Sequence, residues 1–251
     1  MAIRDAVINR TLDAAFLNAV ANNSAVRPML GLANPGQSVD LQPIIEDPAN
    51  FALVSDCGGF VLIPQAAGHY EVHSMFLPGN GTAPIRAMRA AQDWIFTRTD
   101  CVSIWSRVPA SNKAAKGFAI AGKLTTVFER DDERFGPTEF VELPLLRWAM
   151  QCGDLEKQGE RFHALLVAAK AAAGSVLPEH PHDAAHERAV GAALLMFERG
   201  QPQKAAAFYN LWANIAGYQP IALISLNPVT VDAGDAILGI GADGMEILKC
   251  R

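Results

Sequence analysis

The sequence predicts an α+β chain. Over the first three-fifths, short runs of period-two alternation mark strands, and stretches of i, i+3, i+4, i+7 apolar spacing between them mark helices. From about Asp154 helical spacing takes over, and the tail returns to short β-rich runs. The expected organisation is one domain over residues 1–153 and a smaller one over 154–251, helical first and ending in short antiparallel strands.

The first element is a helix across residues 5–22, where Ile8, Leu12, Ala15, Phe16 and Ala19 fall on one face, followed by a breaker-rich loop from Arg27 to Pro43. Phe51 to Ser55 and Phe60 to Ile63 flank Asp56-Cys57-Gly58-Gly59 and read as a hairpin whose glycines supply positive φ angles. The stretch around which the domain is organised runs from Tyr70 to Phe96. Its strand places Tyr70, Val72, Ser74 and Phe76 on one face and Glu71, His73, Met75 and Leu77 on the other. A loop, Gly79-Asn80-Gly81-Thr82-Ala83, leads to Pro84, which suits the first turn of a helix, where its missing N–H is no loss. That helix sets Ile85, Met88, Trp94 and Ile95 opposite Arg86, Arg89 and Asp93. A β-rich run from Cys101 to Val108, a helix from Ser111 to Ala121, and strands over Leu124 to Phe128 and Phe140 to Trp148 complete the domain.

In the second domain Phe162, Leu165, Leu166 and Ala169 mark one helix, Val190, Ala193, Leu194 and Phe197 a second, and Phe208, Leu211, Trp212 and Ile215 a third. Gly200 and Gly217 close the last two, with Pro202 and Pro220 beyond. Strands are expected over Ile221 to Ser225, Val229 to Asp232, Ala236 to Ile240 and Met245 to Cys250, with Asp243-Gly244 as a turn.

Half of the 251 residues are apolar, enough for a sizeable core. A formal charge of −5, without a local run of Lys and Arg, offers no footprint for nucleic acid. No apolar run approaches the roughly 20 residues of a membrane-spanning helix, and the amphipathic N-terminus lacks the continuous apolar segment of a secretory signal. Nucleic acid and membrane are therefore not expected partners, and a cytoplasmic location is expected. Cys57, Cys101, Cys152 and Cys250 lie far apart, without a CxxC pair, and read as reduced thiols.

Three clusters could carry chemistry. Glu71 and His73 share a sheet face, where they form either a hydrogen-bonded surface pair or a base toward an amine. The loop Gly79 to Ala83 before a helix is either turn-and-cap chemistry, with Asn80 or Thr82 as cap, or a backbone cradle for phosphate. His182 and His186 stand four apart in HPHDAAHE, a spacing two metal ligands use. Asp183 there also reads as a helix cap, so no metal site is assigned.

The element order of residues 5–150, with a glycine-containing loop between strand and helix, resembles the GNAT superfamily of N-acetyltransferases. The resemblance implies a mixed, mostly antiparallel sheet flanked by helices. It implies that acetyl-CoA is held by Phe76 and Leu77 on the strand, by Gly79, Asn80, Gly81, Thr82 and Ala83 in the loop, and by Asn112 at the start of the following helix. Glu71 or His73 would then be the catalytic base. Two positions depart from the family's pattern: PGNGTAP contains no basic residue, and Ala119 stands seven positions after Asn112, where members commonly place a Tyr that protonates the leaving thiolate. The C-terminal section looks like uncharacterised proteins of tailed bacteriophages. Together these features lead to the expectation of a virion-associated structural protein, a head, neck or tail component built on a degenerate acetyltransferase fold. It would require no cofactor, would have other virion proteins or copies of itself as partners, and would fill its cleft with side chains. The alternative is an acetyl-CoA-dependent N-acetyltransferase with an open cleft near Phe76 and Arg107.

Overall fold

A computed structural model describes residues 8–30, 37–133, 135–152, 154–160 and 183–217, together with the backbone of four C-terminal strands. The chain divides into two compact units, one of residues 1–95 and 101–145, the other of residues 96–100 and 146–251.

The first unit is a seven-stranded sheet with helices on both faces. Its elements in chain order are β1 (Asn9–Thr11), α1 (Ala15–Ala21), a 3-10 turn (Arg27–Leu30), α2 (Gln42–Ile45), β2 (Phe51–Ser55), β3 (Gly58–Ala66), β4 (His69–Phe76), α3 (Ala83–Arg98), β5 (Ser103–Pro109), α4 (Lys113–Ala121), β6 (Thr125–Asp132) and β7 (Gly136–Pro144). The strand order is β1-β2-β3-β4-β5-β7-β6. Every pairing is antiparallel except β4 with β5. That parallel pair requires a crossover, which α3 supplies.

The alternation expected for β4 fixes what each face carries. Val61 and Ile63 of β3 lie opposite His73 and Glu71, and Phe60 and Leu62 lie opposite Ser74 and Val72. Leu17, Val20 and Ala21 of α1 and Ile45 of α2 pack with Val61 and Met75 on the Glu71 face. On the other face Phe118 of α4 packs against Phe60 and Phe76, with ring centroids 6.4 and 5.6 Å apart, and Trp94 of α3 lies 5.6 Å from Phe51. The sheet therefore separates an α1/α2 layer from an α3/α4 layer.

Several boundaries differ from expectation for local reasons. The helix expected across residues 5–22 occupies only Ala15–Ala21, because Asn9–Thr11 pairs with β2 and Asp13 Oδ1 accepts from the Ala15 N–H at 2.8 Å. The run Phe140 to Trp148 is not one strand. β7 ends at Pro144, and Leu145–Gln151 forms a helix, α5, in which Leu145, Trp148 and Ala149 are buried at helical spacing. In the first hairpin the turn falls on Asp56 and Cys57, and Gly58 and Gly59 already belong to β3. A Cβ on Gly59 would sit 2.3 Å from the Leu53 carbonyl oxygen, so close strand approach, not turn geometry, requires glycine there.

In the second unit α6 (Ala184–Glu198) and α7 (Pro202–Ala216) follow the expected spacing. Asp183 caps α6, accepting from the His186 N–H at 2.7 Å. The helical segment 154–160 crosses α6 at glycine: a Cβ on Gly191 would meet the Leu155 carbonyl oxygen at 1.9 Å. Residues 96–100 are tied into this unit by Lys204, whose Nζ donates to the Phe96 and Thr99 carbonyls at 2.7 and 2.8 Å. Leu211 and Ile215, placed on an apolar stripe by spacing, are exposed. The backbone strands β8 (Ala222–Ile224), β9 (Thr230–Asp232), β10 (Ala236–Gly241) and β11 (Gly244–Cys250) form an antiparallel sheet. The helix around Phe162 to Ala169, His182 and the turn residue Asp243 lie outside the described residues. Among the described residues no helix is long and apolar enough to cross a membrane, and no cluster of His, Cys, Asp and Glu could hold a metal ion. Cys57 and Cys101 are buried, and these and Cys152 are free thiols.

Candidate active site

β4 and β5 pair only from His69 with Ser103 to Glu71 with Trp105. Beyond that point no residue of one strand has a register partner on the other, and the sheet is split. Ser106 Oγ bridges the start of the split, donating to the Val72 carbonyl at 2.9 Å. By the two-residue repeat of a strand, the N–H and C=O of Ser74 point toward the same gap.

A cavity of about 230 Å3 passes through this gap. On the α1/α2 side its wall includes Glu71, His73, Arg107 and Phe135, with Met29 and Leu30 of the 3-10 turn. On the α3/α4 side it includes Phe60, Leu62, Ala91, Ile95, Phe118 and Ala119. The titratable groups of the wall are thus gathered on one side of the split, and the other side carries none.

The polar side is an interlocked set. Glu71 is 6% exposed, and its Oε1 accepts from Arg107 Nε at 2.8 Å and lies 2.7 Å from a terminal guanidinium nitrogen. The same guanidinium lies 3.9 Å from Asp132. Glu71 Oε2 accepts from Gln65 at 3.4 Å. A buried carboxylate needs this pairing, because alone it would lose its hydration without replacement. His73 Nε2 stands 3.7 Å from Glu71 Oε1. Burial holds the imidazole pKa below its ordinary value, the Glu71 carboxylate pulls it back up and Arg107 lowers it again. The half-buried ring is therefore neutral near pH 7, with a lone pair available and a carboxylate beside it to stabilise the imidazolium.

Of the residues that the sequence singles out, Glu71, His73 and Asn112 come together on the cavity wall. Asn112 also caps α4, accepting from the Ala115 N–H at 3.0 Å. Phe76 packs into the Phe60–Phe118 aromatic cluster, and Leu77 packs against the α1/α2 core. The loop Gly79 to Ala83 lies off the cavity wall, at the amino end of α3. Gly79 and Gly81 have φ of +83° and +53°, with open space where a Cβ would stand. Asn80 turns back to the Leu77 carbonyl at 2.9 Å, and Thr82 Oγ1 accepts from Arg86 Nη1 at 2.7 Å. The loop that lacks a basic residue in sequence is thus given one by the first turn of α3. Ser106 and Arg86 were not among the residues expected to form the site, and Arg107, expected near an open cleft, was given no partner there. Arg107 could be assigned only from the β4–β5 register, which sets it beside Glu71.

No protein-family model matches the chain, and no curated protein sequence does. Among solved structures, the spermidine N-acetyltransferase from Vibrio cholerae in complex with CoA and spermine is similar over 57% of this chain and 97% of that one, with 18% identity and a TM-score of 0.48. A chimera of that enzyme gives 17% identity, the same coverage and a TM-score of 0.48. The dodecameric form in an intermediate state gives 16% identity over 57% of this chain and 95% of that one, with a TM-score of 0.44. The fold is α+β, a mixed seven-stranded sheet flanked by helices and followed by a helical region. Two expectations are corrected. The cleft expected to be filled with side chains is an open, through-sheet cavity, and the virion structural reading built on a filled cleft is not kept. The expectation that no cofactor is required belonged to that reading and is not kept either; the Vibrio cholerae enzyme is in complex with CoA. No comparison carries the resemblance to bacteriophage proteins in the C-terminal section.

Proposed function

We propose that this chain is an acyl-CoA-dependent N-acyltransferase acting on an amine. The observation that carries the proposal is the cavity running through the sheet at the β4–β5 split, with titratable groups on one face and none on the other. Two reactants entering from opposite faces would meet there in line and away from bulk water.

The residues present fit CoA. The open glycines Gly79 and Gly81 at the amino end of α3 and the Arg86 guanidinium would hold phosphate. The unpaired edges of β4 and β5, including the Ser74 N–H and C=O, would pair with the amides of the pantetheine arm. When bound, acyl-CoA supplies a thioester whose acyl carbon forms the new C–N bond as its C–S bond breaks. His73, neutral near pH 7, takes the proton that the amine nitrogen gives up. Glu71 stabilises the resulting imidazolium across 3.7 Å, and Arg107 fixes Glu71 in position. Ala119 offers no acid, so the sulfur takes its proton from water.

The test is release of free CoA thiol from acyl-CoA in the presence of a panel of primary amines and polyamines, with the parent chain and His73→Asn. Amine-dependent release that falls by about 10²–10⁴ in kcat in the variant supports the assignment. Equal release by both chains removes His73 as the base. Absence of CoA binding by the parent chain overturns the proposed function.

A further inference from the structure

The cavity does not stop where the reacting atoms would meet. His73 lies two residues beyond Glu71, the last β4 residue paired with β5. On the α3/α4 side the wall continues back toward the paired end of the two strands, through Leu62, Ala91, Ile95 and Ile104. Ile104 is itself within the paired segment, opposite Tyr70, and Leu62 lies opposite Val72. All four side chains are buried and carry no polar atom. Gln92, on the same helix wall, turns its amide to the Gly122 carbonyl at 2.9 Å. α4 contributes Phe118, whose ring packs against Phe60 and Phe76, and the small Ala115 and Ala119 beside it. The cavity of about 230 Å3 serves both faces of the split, and its apolar end extends past the point where the methyl of an acetyl group would lie. An apolar occupant gains dispersion contacts with walls of this kind.

The geometry points to an apolar acyl group longer than acetyl, with its tail against Leu62, Ala91, Ile95 and Ile104. The acceptor is not the occupant of this end, because it would reach the thioester from the face that carries His73, Glu71 and Arg107. The inference rests on the acyltransferase reading of the same cavity and adds the class of acyl donor.

Titration calorimetry of the full chain with CoA and with acetyl-, butanoyl-, hexanoyl- and octanoyl-CoA tests it without turnover. Each methylene that enters the pocket should tighten binding about four-fold, so that hexanoyl-CoA binds at least about ten-fold tighter than acetyl-CoA. Ala91→Leu should shrink that gain to about two-fold, and the smaller Ala91→Val should shrink it partway. Because the chain-length series on the parent protein needs no variant, misfolding of either one leaves the test intact. Equal affinities for acetyl- and hexanoyl-CoA overturn the inference while the transferase reading stands. A gain that persists undiminished in both folded Ala91 variants places the chain elsewhere and also overturns it. Failure of CoA and every thioester to bind overturns both.

Discussion

Replacing Glu71 by Gln perturbs the site in two separable ways. Gln keeps the shape and one acceptor, and removes the charge that faces Arg107 at 2.7–2.8 Å and His73 at 3.7 Å. Breaking a fully buried ion pair by removing one partner costs about 3–5 kcal/mol. Here Glu71 is buried but Arg107 keeps about a third of its side chain exposed (32%) and has Asp132 at 3.9 Å, so water and the second carboxylate compensate in part. A loss of about 1–3 kcal/mol is expected, measured as a fall in the urea midpoint at unchanged m-value. The second effect is on His73. Its pKa lies below the ordinary value through burial, Glu71 raises it and Arg107 lowers it, so removing Glu71 lowers it further. In the parent chain the acid limb of kcat/KM should lie below the ordinary histidine value, with activity lost as pH falls through it. In Glu71→Gln that limb should move to still lower pH, with a smaller plateau because the imidazolium has lost its neighbouring charge. Arg107→Gln should move it upward. A limb that stays in place in both variants, or moves up in Glu71→Gln, would refute His73 as the titrating base.

Four further outcomes follow from the geometry. Ala119→Tyr restores a phenol at the position where the resembled family places its acid. It should raise acetyl transfer while weakening hexanoyl-CoA binding, and Ala119→Phe should do only the latter, as read by thiol release beside calorimetry. Arg86→Ala should weaken CoA about ten-fold, with an affinity less dependent on salt, and leave the melting temperature within about 2 °C. Gly59→Ala drives a methyl to 2.3 Å from the Leu53 carbonyl and should cost about 2–4 kcal/mol in urea unfolding, whereas Gly81→Ala, with open space at its Cβ, should cost about 1–2 kcal/mol, from its positive φ alone. The Glu139 carboxyl is held below its ordinary pKa by hydrogen bonds from Lys116 and Thr126. Its contribution is therefore present above the ordinary glutamate value and fades as pH falls through the lowered one, so Lys116→Met should flatten that part of the stability profile.

What was legible in the sequence is what local periodicity decides. The alternation from Tyr70 to Leu77 put Glu71 and His73 on one face, and the structure keeps them there, on the wall of the same cavity. Pro84 marked the first turn of α3, and Asp183 marked a cap. The errors arise where a local signal has two meanings. Phe140 to Trp148 is apolar on nearly every residue, and such a run is strand or buried helix until something breaks it. Pro144 is that break, because it ends the ladder with β5 at Ser103 and begins a turn of helix that buries Leu145 and Trp148. Gly58-Gly59 was read as turn chemistry because a turn and a close strand approach both select glycine, and only the partner strand distinguishes them. The largest gap, the partner of Arg107, is of a different kind: the residue was placed near the cleft but not against Glu71. Nothing within residues 101–108 says that its guanidinium meets Glu71, since the two stand 36 residues apart and their contact depends on β4 and β5 running parallel in one register. The same register opens the split two residues later. One long-range pairing, set by the α3 crossover, therefore creates the charge pair, the neutral histidine beside it and the gap through the sheet. A sequence pattern names the side chains available to such a site, and the topology decides which of them meet.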